Sequence, residues 1–394
     1  MKQKILVRSL KRQGILVLLA GVTGFFVFGT KTDLTEPYER SDYITSVAFD
    51  WSTLTEQAPG SDIWPITWSD DGNQYTVWGD GGGFGGDNKL GRVPLGVARI
   101  SGDWDNYEGK NIWGGHQPVK PSTFGGKSWG IISVEGVLYM WWSGDDSDRN
   151  LTKWGDNSAI NECRIAVSYD HGESWTLSEK MFDRYDLLCC PTFLNFGKDN
   201  GGARDKYVYS YFPRLNNSGE MWYDSNKVPQ KRKPGKVDLA RVPKSKITDR
   251  EAYEFFSGFD AGGNPRWTSD FSPDARKPVY IDQTGGIRTV ACTYNPGLQR
   301  YLFTTEHTRV GKSNLGTIGI FEAKEPWGPW KTVYYSDNFG MEPGGPERLI
   351  GNLNFYFAPK WFSRNGKEFT IVTSADGDNW GSIRGEFTIK KSKK

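Results

Sequence analysis

Histidine is scarce in this chain: His116, His171 and His307 are the only three among 394 residues. A catalytic zinc site built on three imidazoles would need every one of them, which argues against that chemistry. Cysteine is nearly as sparse. Cys163, Cys189, Cys190 and Cys292 lack the paired spacing of a thiolate metal site but suit an oxidising compartment, where Cys163 could bridge to Cys189 or Cys190. Long amphipathic helical stripes are missing too, which excludes helical-bundle architectures. A basic excess is also lacking. The formal charge is +2, but residues 1–30 hold five basic groups (Lys2, Lys4, Arg8, Lys11, Arg12) and no acidic one. Setting these aside leaves 44 basic against 47 acidic side chains, with no basic stripe for nucleic-acid binding.

What the chain has instead is glycine and aromatic surface: 48 Gly, 17 Trp, 18 Tyr and 22 Phe. That is the composition of a β-rich protein with many turns. Met1–Phe28 carries a basic start and an apolar stretch from about Gly14, so residues 1–30 read as a signal peptide or signal-anchor. No A-x-A site follows, and no Cys lies nearby for lipoprotein processing. The expectation is an exported protein: periplasmic, secreted, or held to the membrane only by this segment. Residues 31–43 read as a linker and residues 44–390 as the folded domain.

The stretch Ser61–Asp87 organises the domain. Ile63–Trp68 and Gln74–Trp78 read as two strands joined by the turn Ser69-Asp70-Asp71-Gly72-Asn73. Pairing about Asp71-Gly72 sets Asp62 almost opposite Asp80 or Gly81, so two carboxylates meet at one rim of a hairpin. A proton donor and a base or nucleophile at one edge are what glycosidic cleavage requires. The run Gly81–Gly86 is expected to leave room beside them for a ligand.

The hairpin-plus-third-strand unit recurs four more times, beginning at Trp129, Pro191, Ile287 and Phe355. Five such units predict an all-β, five-bladed β-propeller, with Ile44–Phe49 completing the last blade. Ser168–Trp175 (S-Y-D-H-G-E-S-W) matches the pattern S-x-D-x-G-x-S/T-W, the Asp-box of sialidase-like propellers, in which Asp and Ser satisfy the amides of a tight turn. It is a structural signature rather than a catalytic one.

Equivalent strand ends in a propeller converge on one mouth. That collects Asp62, Asp80 and Glu306 as candidate catalytic groups, and Lys127, Asp145, Arg288 and Asp376 as substrate-binding ones. Within hairpins, Lys127 is expected beside Asp145, Asn354 beside Asp376, and Glu306 beside Arg288. Glu306 could instead be neutralised by Arg288 or Arg309. Trp64, Trp78, Phe84, Trp129, Trp141 and Trp142 are candidate sugar-stacking faces, with Trp64 and Trp129 nearest the rim and Trp142 better read as packing between blades. No cofactor motif is present, no metal ligands are assigned, and no loop shows a Ca²⁺-binding spacing.

The D-x-W-P-x-T-W…W-G-D-G hairpin (Asp62–Gly81), the strands Lys127–Ile132 and Asp205–Tyr209, and the turn E-P-W-G-P-W within Glu322–Trp330 together resemble a bacterial family first described as a domain of unknown function. Some of its members are endo-D-arabinanases, and its fold is similar to that of arabinanases and fructosidases. The resemblance spans roughly Ser41–Ile389. It implies a glycoside hydrolase acting on an arabinan or other furanoside, with Asp62 and Asp80 at the positions of the catalytic pair. The chain departs from the arabinanases in carrying Ile63-Trp64-Pro65 after the first Asp and Gly81-Gly82-Gly83-Phe84 after the second. Two other functions compete. A polysaccharide lyase would need a base such as Tyr209, Tyr211 or His307 with Arg288 neutralising a uronate. A non-catalytic sugar-binding propeller would need neither aspartate for chemistry. The partner in each case is a polysaccharide or oligosaccharide.

Overall fold

Short runs rich in Val, Ile, Tyr, Phe and Trp, broken by Gly- and Asp-containing turns, have no periodicity that a helix could bury on one side. In the computed structural model they form, among the described residues, 23 strands, with helical pieces there limited to short 3₁₀ turns. The structure describes residues 35–390 except 87–88, 90, 116–118, 146–159, 221–234, 284, 309–314, 352 and 376–377. The leader, Asp376 and Arg309 therefore lie outside the described residues.

An opening strand β1 (Ile44–Gln57) precedes five antiparallel meanders. The first is β2 (Asp62–Trp68), β3 (Gln74–Gly79), β4 (Gly96–Ser101) and β5 (Glu108–Trp113). The second is β6 (Lys127–Val134), β7 (Val137–Gly144) and β8 (Glu162–Ser168), edged by β9 (Thr176–Leu177) and β10 (Phe182–Asp183). The third comprises β11 (Thr192–Asn195), β12 (Tyr207–Pro213), β13 (Gly235–Pro243), β14 (Glu254–Phe259) and β15 (Pro265–Thr268), with β16 (Tyr280–Asp282) paired to β13. The fourth is β17 (Gly286–Asn295), β18 (Arg300–Thr308), β19 (Ile318–Ala323) and β20 (Lys331–Ser336). The fifth is β21 (Leu353–Phe357), β22 (Glu368–Ala375) and β23 (Asn379–Ile389), onto which β1 pairs as the outer strand.

The first strands of the five meanders form a closed circuit. β2 packs on β6, β6 on β11, β11 on β17, β17 on β21, and β21 back on β2. At one point the circuit is hydrogen-bonded: β11 and β17 pair in parallel at Leu194–Cys292 and Asn195–Thr293. This is the layout of a β-propeller, in which radial repetition leaves few open edges. The hydrophobic core is correspondingly divided. One cluster joins the first and second meanders around Val77, Met140 and Trp142, one the second and third around Trp141, Phe182 and Phe212, and one the fourth and fifth around Leu302, Phe339 and Phe369.

The expected strands are present, and β1 closes the last meander through pairs such as Val47–Phe387. The sequence reading missed β5, β9, β10, β14, β15, β16 and β20, most of them short strands that carry little alternation. The end of the segment read as a linker is anchored. Tyr38 packs on Tyr280 and Phe321, and Thr332 exchanges backbone hydrogen bonds with Glu39 and Ser41. The Asp-box is a turn as its sequence implies. The Asp170 carboxylate accepts from the Ser174 amide (2.9 Å) and from Ser168 Oγ (2.8 Å), and Ser168 Oγ accepts from the Gly172 amide (2.7 Å). No disulfide is formed. All four cysteines are buried thiols, and Cys189 Sγ donates to the Pro213 carbonyl rather than bonding to Cys163.

Candidate active site

The β2–β3 hairpin does not keep one register to its rim. Ile66 faces Thr76 and Thr67 faces Tyr75, but a bulge between Ile63 and Ile66 shifts the pairing so that Asp62 faces Gly79. Asp80, expected opposite Asp62, therefore lies one residue beyond the position that faces it. The bulge is strained: Ile63 has φ 87° and Trp64 φ 64°, left-handed values that a β-branched residue rarely adopts. The Ile63 amide leaves its own ladder and donates to Ser374 Oγ at 2.7 Å, which ties the first meander to the fifth. Asp80 is also left-handed, at φ 70°. Similar register shifts occur near the rim in the first hairpins of the second, fourth and fifth meanders. Bulges of this kind re-aim side chains at the ends of strands.

Asp62 and Asp80 are both largely buried, 7% and 8% exposed, and their environments differ. Asp80 is ion-paired to Lys127 and to Arg92, whose Nη2 lies 3.2 Å from Oδ2. Arg92 Nε also donates to the Asp80 carbonyl. Among the described residues Asp62 has no such partner, and its Oδ1 is buried without a hydrogen bond. Burial pushes the Asp62 carboxyl well above the usual carboxylate range. The Asp80 charge raises it further, and Lys127 and Arg288 oppose the shift only in part.

Glu306 is fully buried on β18. It accepts from Arg288 Nη1 at 3.2 Å, from Thr289 Oγ1 at 2.9 Å and from the Asn354 amide. Burial raises its carboxyl, and the Arg288 cation is the main opposing influence. Arg288 acts on both Glu306 and Asp62, so the fourth meander's polar group adjoins the first meander's. Asn354, with φ 52°, donates through Nδ2 to Tyr356, whose hydroxyl donates to the Trp129 carbonyl at 3.0 Å.

The structure thus gathers Asp62, Asp80, Lys127 and Arg288, with Glu306 joined through Arg288. Three other expectations are corrected. Lys127 faces Ser143 in its own hairpin and turns its ammonium to Asp80, not to Asp145; Asp145 instead accepts from Asn161 Nδ2 at 3.3 Å. Trp64 is not an open sugar platform. The bulge turns it inward, where it is fully buried against Phe84 and Trp380. Trp129 is buried as well, clustered with Ile63, Cys189 and Leu353, and Trp78, Phe84, Trp141 and Trp142 likewise belong to the core. The glycine run does not hold an empty space at its start, since a Cβ on Gly81 would stand 2.2 Å from Ser61 Oγ.

Of the three candidate lyase bases, His307 faces Ile287, the neighbour of Arg288, across the β17–β18 hairpin, and all three are engaged by other groups. Tyr209 donates to Asp205, Tyr211 to the Pro326 carbonyl, and His307 Nε2 lies 2.6 Å from Asp337 Oδ1. Burial raises both tyrosine hydroxyls, which removes them further from proton abstraction. Sequence reasoning missed Arg92, Tyr356 and Ser374. Tyr356 lies two positions from Asn354 and so shares its strand face, a signal that was available. Arg92 lies in an irregular loop and gave none.

No family profile matches the sequence, and no curated protein does. Solved structures with a similar chain course include a GH43_1 enzyme from Xanthomonas citri, 12% identical over 86% of this chain and 94% of that one, at a TM-score of 0.44. A GH43 β-xylosidase/α-arabinofuranosidase from a compost microbial metagenome is 14% identical over 87% of this chain and 98% of its own, at 0.44. The catalytic domain of a GH62 α-L-arabinofuranosidase from Coprinopsis cinerea is 9% identical over 89% and 97%, at 0.42.

Proposed function

We propose that the chain is an exported glycoside hydrolase of five-bladed propeller architecture that cleaves a polysaccharide with Asp62 and Asp80. The observation that carries this reading is the contrast between the two aspartates. Two carboxyl groups at one rim of a hairpin, one raised by burial and one ion-paired to Lys127 and Arg92, make an acid and a base or nucleophile. Asp62 donates the proton to the leaving glycosidic oxygen. Asp80 either attacks the anomeric carbon or activates the water that does. Lys127 and Arg92 orient Asp80 and hold its charge. Glu306, bound by Arg288 and Thr289, supports the Arg288 cation near Asp62 and takes no part in proton transfer. The substrate suggested by the resemblance of the Asp62–Gly81 hairpin is an arabinan or another furanoside polymer.

The test is a screen of the purified protein against arabinans, arabinogalactans, fructans and other plant, algal and bacterial polysaccharides, with products read by mass. Hydrolysis adds one water to each cleaved bond, and its loss in Asp62→Asn and Asp80→Asn supports the assignment. Unsaturated products absorbing in the ultraviolet would establish a lyase instead. Binding that both variants retain, with no product from the parent, would establish a non-catalytic binding protein.

A further inference from the structure

A polar cavity lies away from the carboxylate cluster. It has a volume of about 530 Å³ and is lined by Arg204, Tyr294, Gln299, Arg300, Lys324 and Glu325, within the range of about 300–1,000 Å³ usual for small-molecule sites. Arg300 opens β18, and Glu306 stands six residues further along the same strand. At about 3.4 Å per residue the two are roughly 20 Å apart, so this cavity is at the other end of the meander from the candidate catalytic groups.

Its walls are fixed. Lys324 follows β19, and Glu325 opens the E-P-W-G-P-W turn that leads into β20. The Gly328 amide donates to the Glu325 carbonyl at 3.0 Å. Tyr211 donates to the Pro326 carbonyl at 2.7 Å, and Trp330 Nε1 to the Val279 carbonyl at 2.9 Å. Trp327 stacks on Phe256 and meets Trp267 edge-on. The facing turn is braced as well, by Asn295, which accepts from the Leu298 amide at 3.1 Å and donates to the Gly366 carbonyl at 2.8 Å. Arg204 is held over the opening by the Lys324 carbonyl at 3.2 Å and Glu325 at 3.4 Å.

The donor set is selective. Arg300 is neutralised by Glu322 at 2.8 Å and lies over the Tyr43 ring. The exposed Arg204 and Lys324 against the single carboxylate Glu325 leave one net positive charge. A neutral sugar would not need the two cations, and a small inorganic anion would leave Glu325 and the Tyr294 ring unused. A ligand with both an oxyanion and hydroxyl groups uses all of them: the oxyanion on Arg204 and Lys324, hydroxyl donors on Glu325, and a ring face on the half-exposed Tyr294.

We propose that this cavity is a binding site for an acidic saccharide of the uronate type, separate from the Asp62–Asp80 cluster and independent of whether that cluster is catalytic. Calorimetric titration of the full chain with D-glucuronate, D-glucose and inorganic sulfate tests it. Glucuronate should saturate the parent and Asp62→Asn alike, with glucose and sulfate each at least about tenfold weaker. Arg204→Ala combined with Lys324→Ala should weaken glucuronate about tenfold or more at an unchanged melting temperature, and Lys324→Gln alone, at an exposed position, should weaken it several-fold. Equal binding of glucose, equal binding of sulfate, undiminished binding by the double variant, or no saturable uptake of glucuronate would each overturn the proposal.

Discussion

The ammonium of Lys127, at the start of the second meander, pairs with the carboxylate of Asp80, at the end of the second strand of the first. This contact crosses from one meander to the next, and both side chains are about nine-tenths buried. Removing one member of such a pair leaves the other charge desolvated, at a cost of about 3–5 kcal/mol, whereas replacing both by uncharged groups costs far less. Lys127→Met leaves Asp80 with the partly exposed Arg92 in place of a buried partner and should destabilise the fold, and Lys127→Met with Asp80→Asn should recover much of the loss. Chemical denaturation of the two single variants and the double variant measures the coupling. Additive losses would mean that the pair contributes little.

Asp62 gives a pH dependence of known sign. Its folded carboxyl titrates above the unfolded one because burial and the Asp80 charge oppose ionisation. The stabilisation linked to its protonated form is fully present below the unfolded value of about 3.9 and is lost as pH rises through the elevated folded value. Asp62→Asn cannot ionise, so its melting temperature should exceed the parent's at neutral and alkaline pH, and the two should converge in acid. In activity, the alkaline limb of kcat/KM should follow the same group, since the proton donor is lost when Asp62 ionises. A parent that is more stable than Asp62→Asn at high pH would contradict the assignment.

Strand positions were legible because alternating apolar residues and strong turn signals such as Asp71-Gly72 and Asn365-Gly366 fix both the period and the bends. The rim was less so. Simple counting from the turn sets Asp62 against Asp80 or Gly81, but the bulge at Ile63 consumes a residue and sets it against Gly79. A bulge carries no reliable mark in a single sequence. The same limit hid the choice of Lys127 between Asp145 and Asp80, because alternation specifies which face of a sheet a side chain occupies and says nothing about which neighbouring sheet it meets. Trp64 failed for a related reason: its proximity to Asp62 in sequence was readable, and the left-handed backbone that turns it into the core was not.

Trp64 supplies a test that separates packing from ligand contact. It is fully buried against Phe84 and Trp380, so Trp64→Ala should cost about 3–5 kcal/mol of stability, as large core truncations to alanine do. Trp64→Phe keeps most of the volume and should remain folded with KM for the polysaccharide nearly unchanged. A KM raised tenfold or more in a fully folded Trp64→Phe would return Trp64 to the role of a sugar platform.

Gly79 is the residue that lets the two aspartates and the lysine meet. It faces Asp62 across the hairpin, and a Cβ there would stand 2.9 Å from the Pro94 carbonyl oxygen, 3.3 Å from Lys127 Nζ and 3.5 Å from Asp62 Oδ1. The carbonyl belongs to the backbone and cannot swing aside, so Gly79→Ala must push either the segment leading into β4 or the Lys127 side chain. Overpacking of this kind costs about 1–3 kcal/mol, and displacement of Lys127 would loosen Asp80. The expected result is a folded variant with a lowered melting temperature and with kcat reduced far more than KM is raised. The distinguishing measurement is the pH profile of the variant. If the methyl group disturbs the charge cluster, the alkaline limb assigned to Asp62 should shift, because Lys127 is the largest of the influences that hold its carboxyl down. A Gly79→Ala protein with the parent's melting temperature, kcat and alkaline limb would show that Lys127 and Asp62 are not packed around this position.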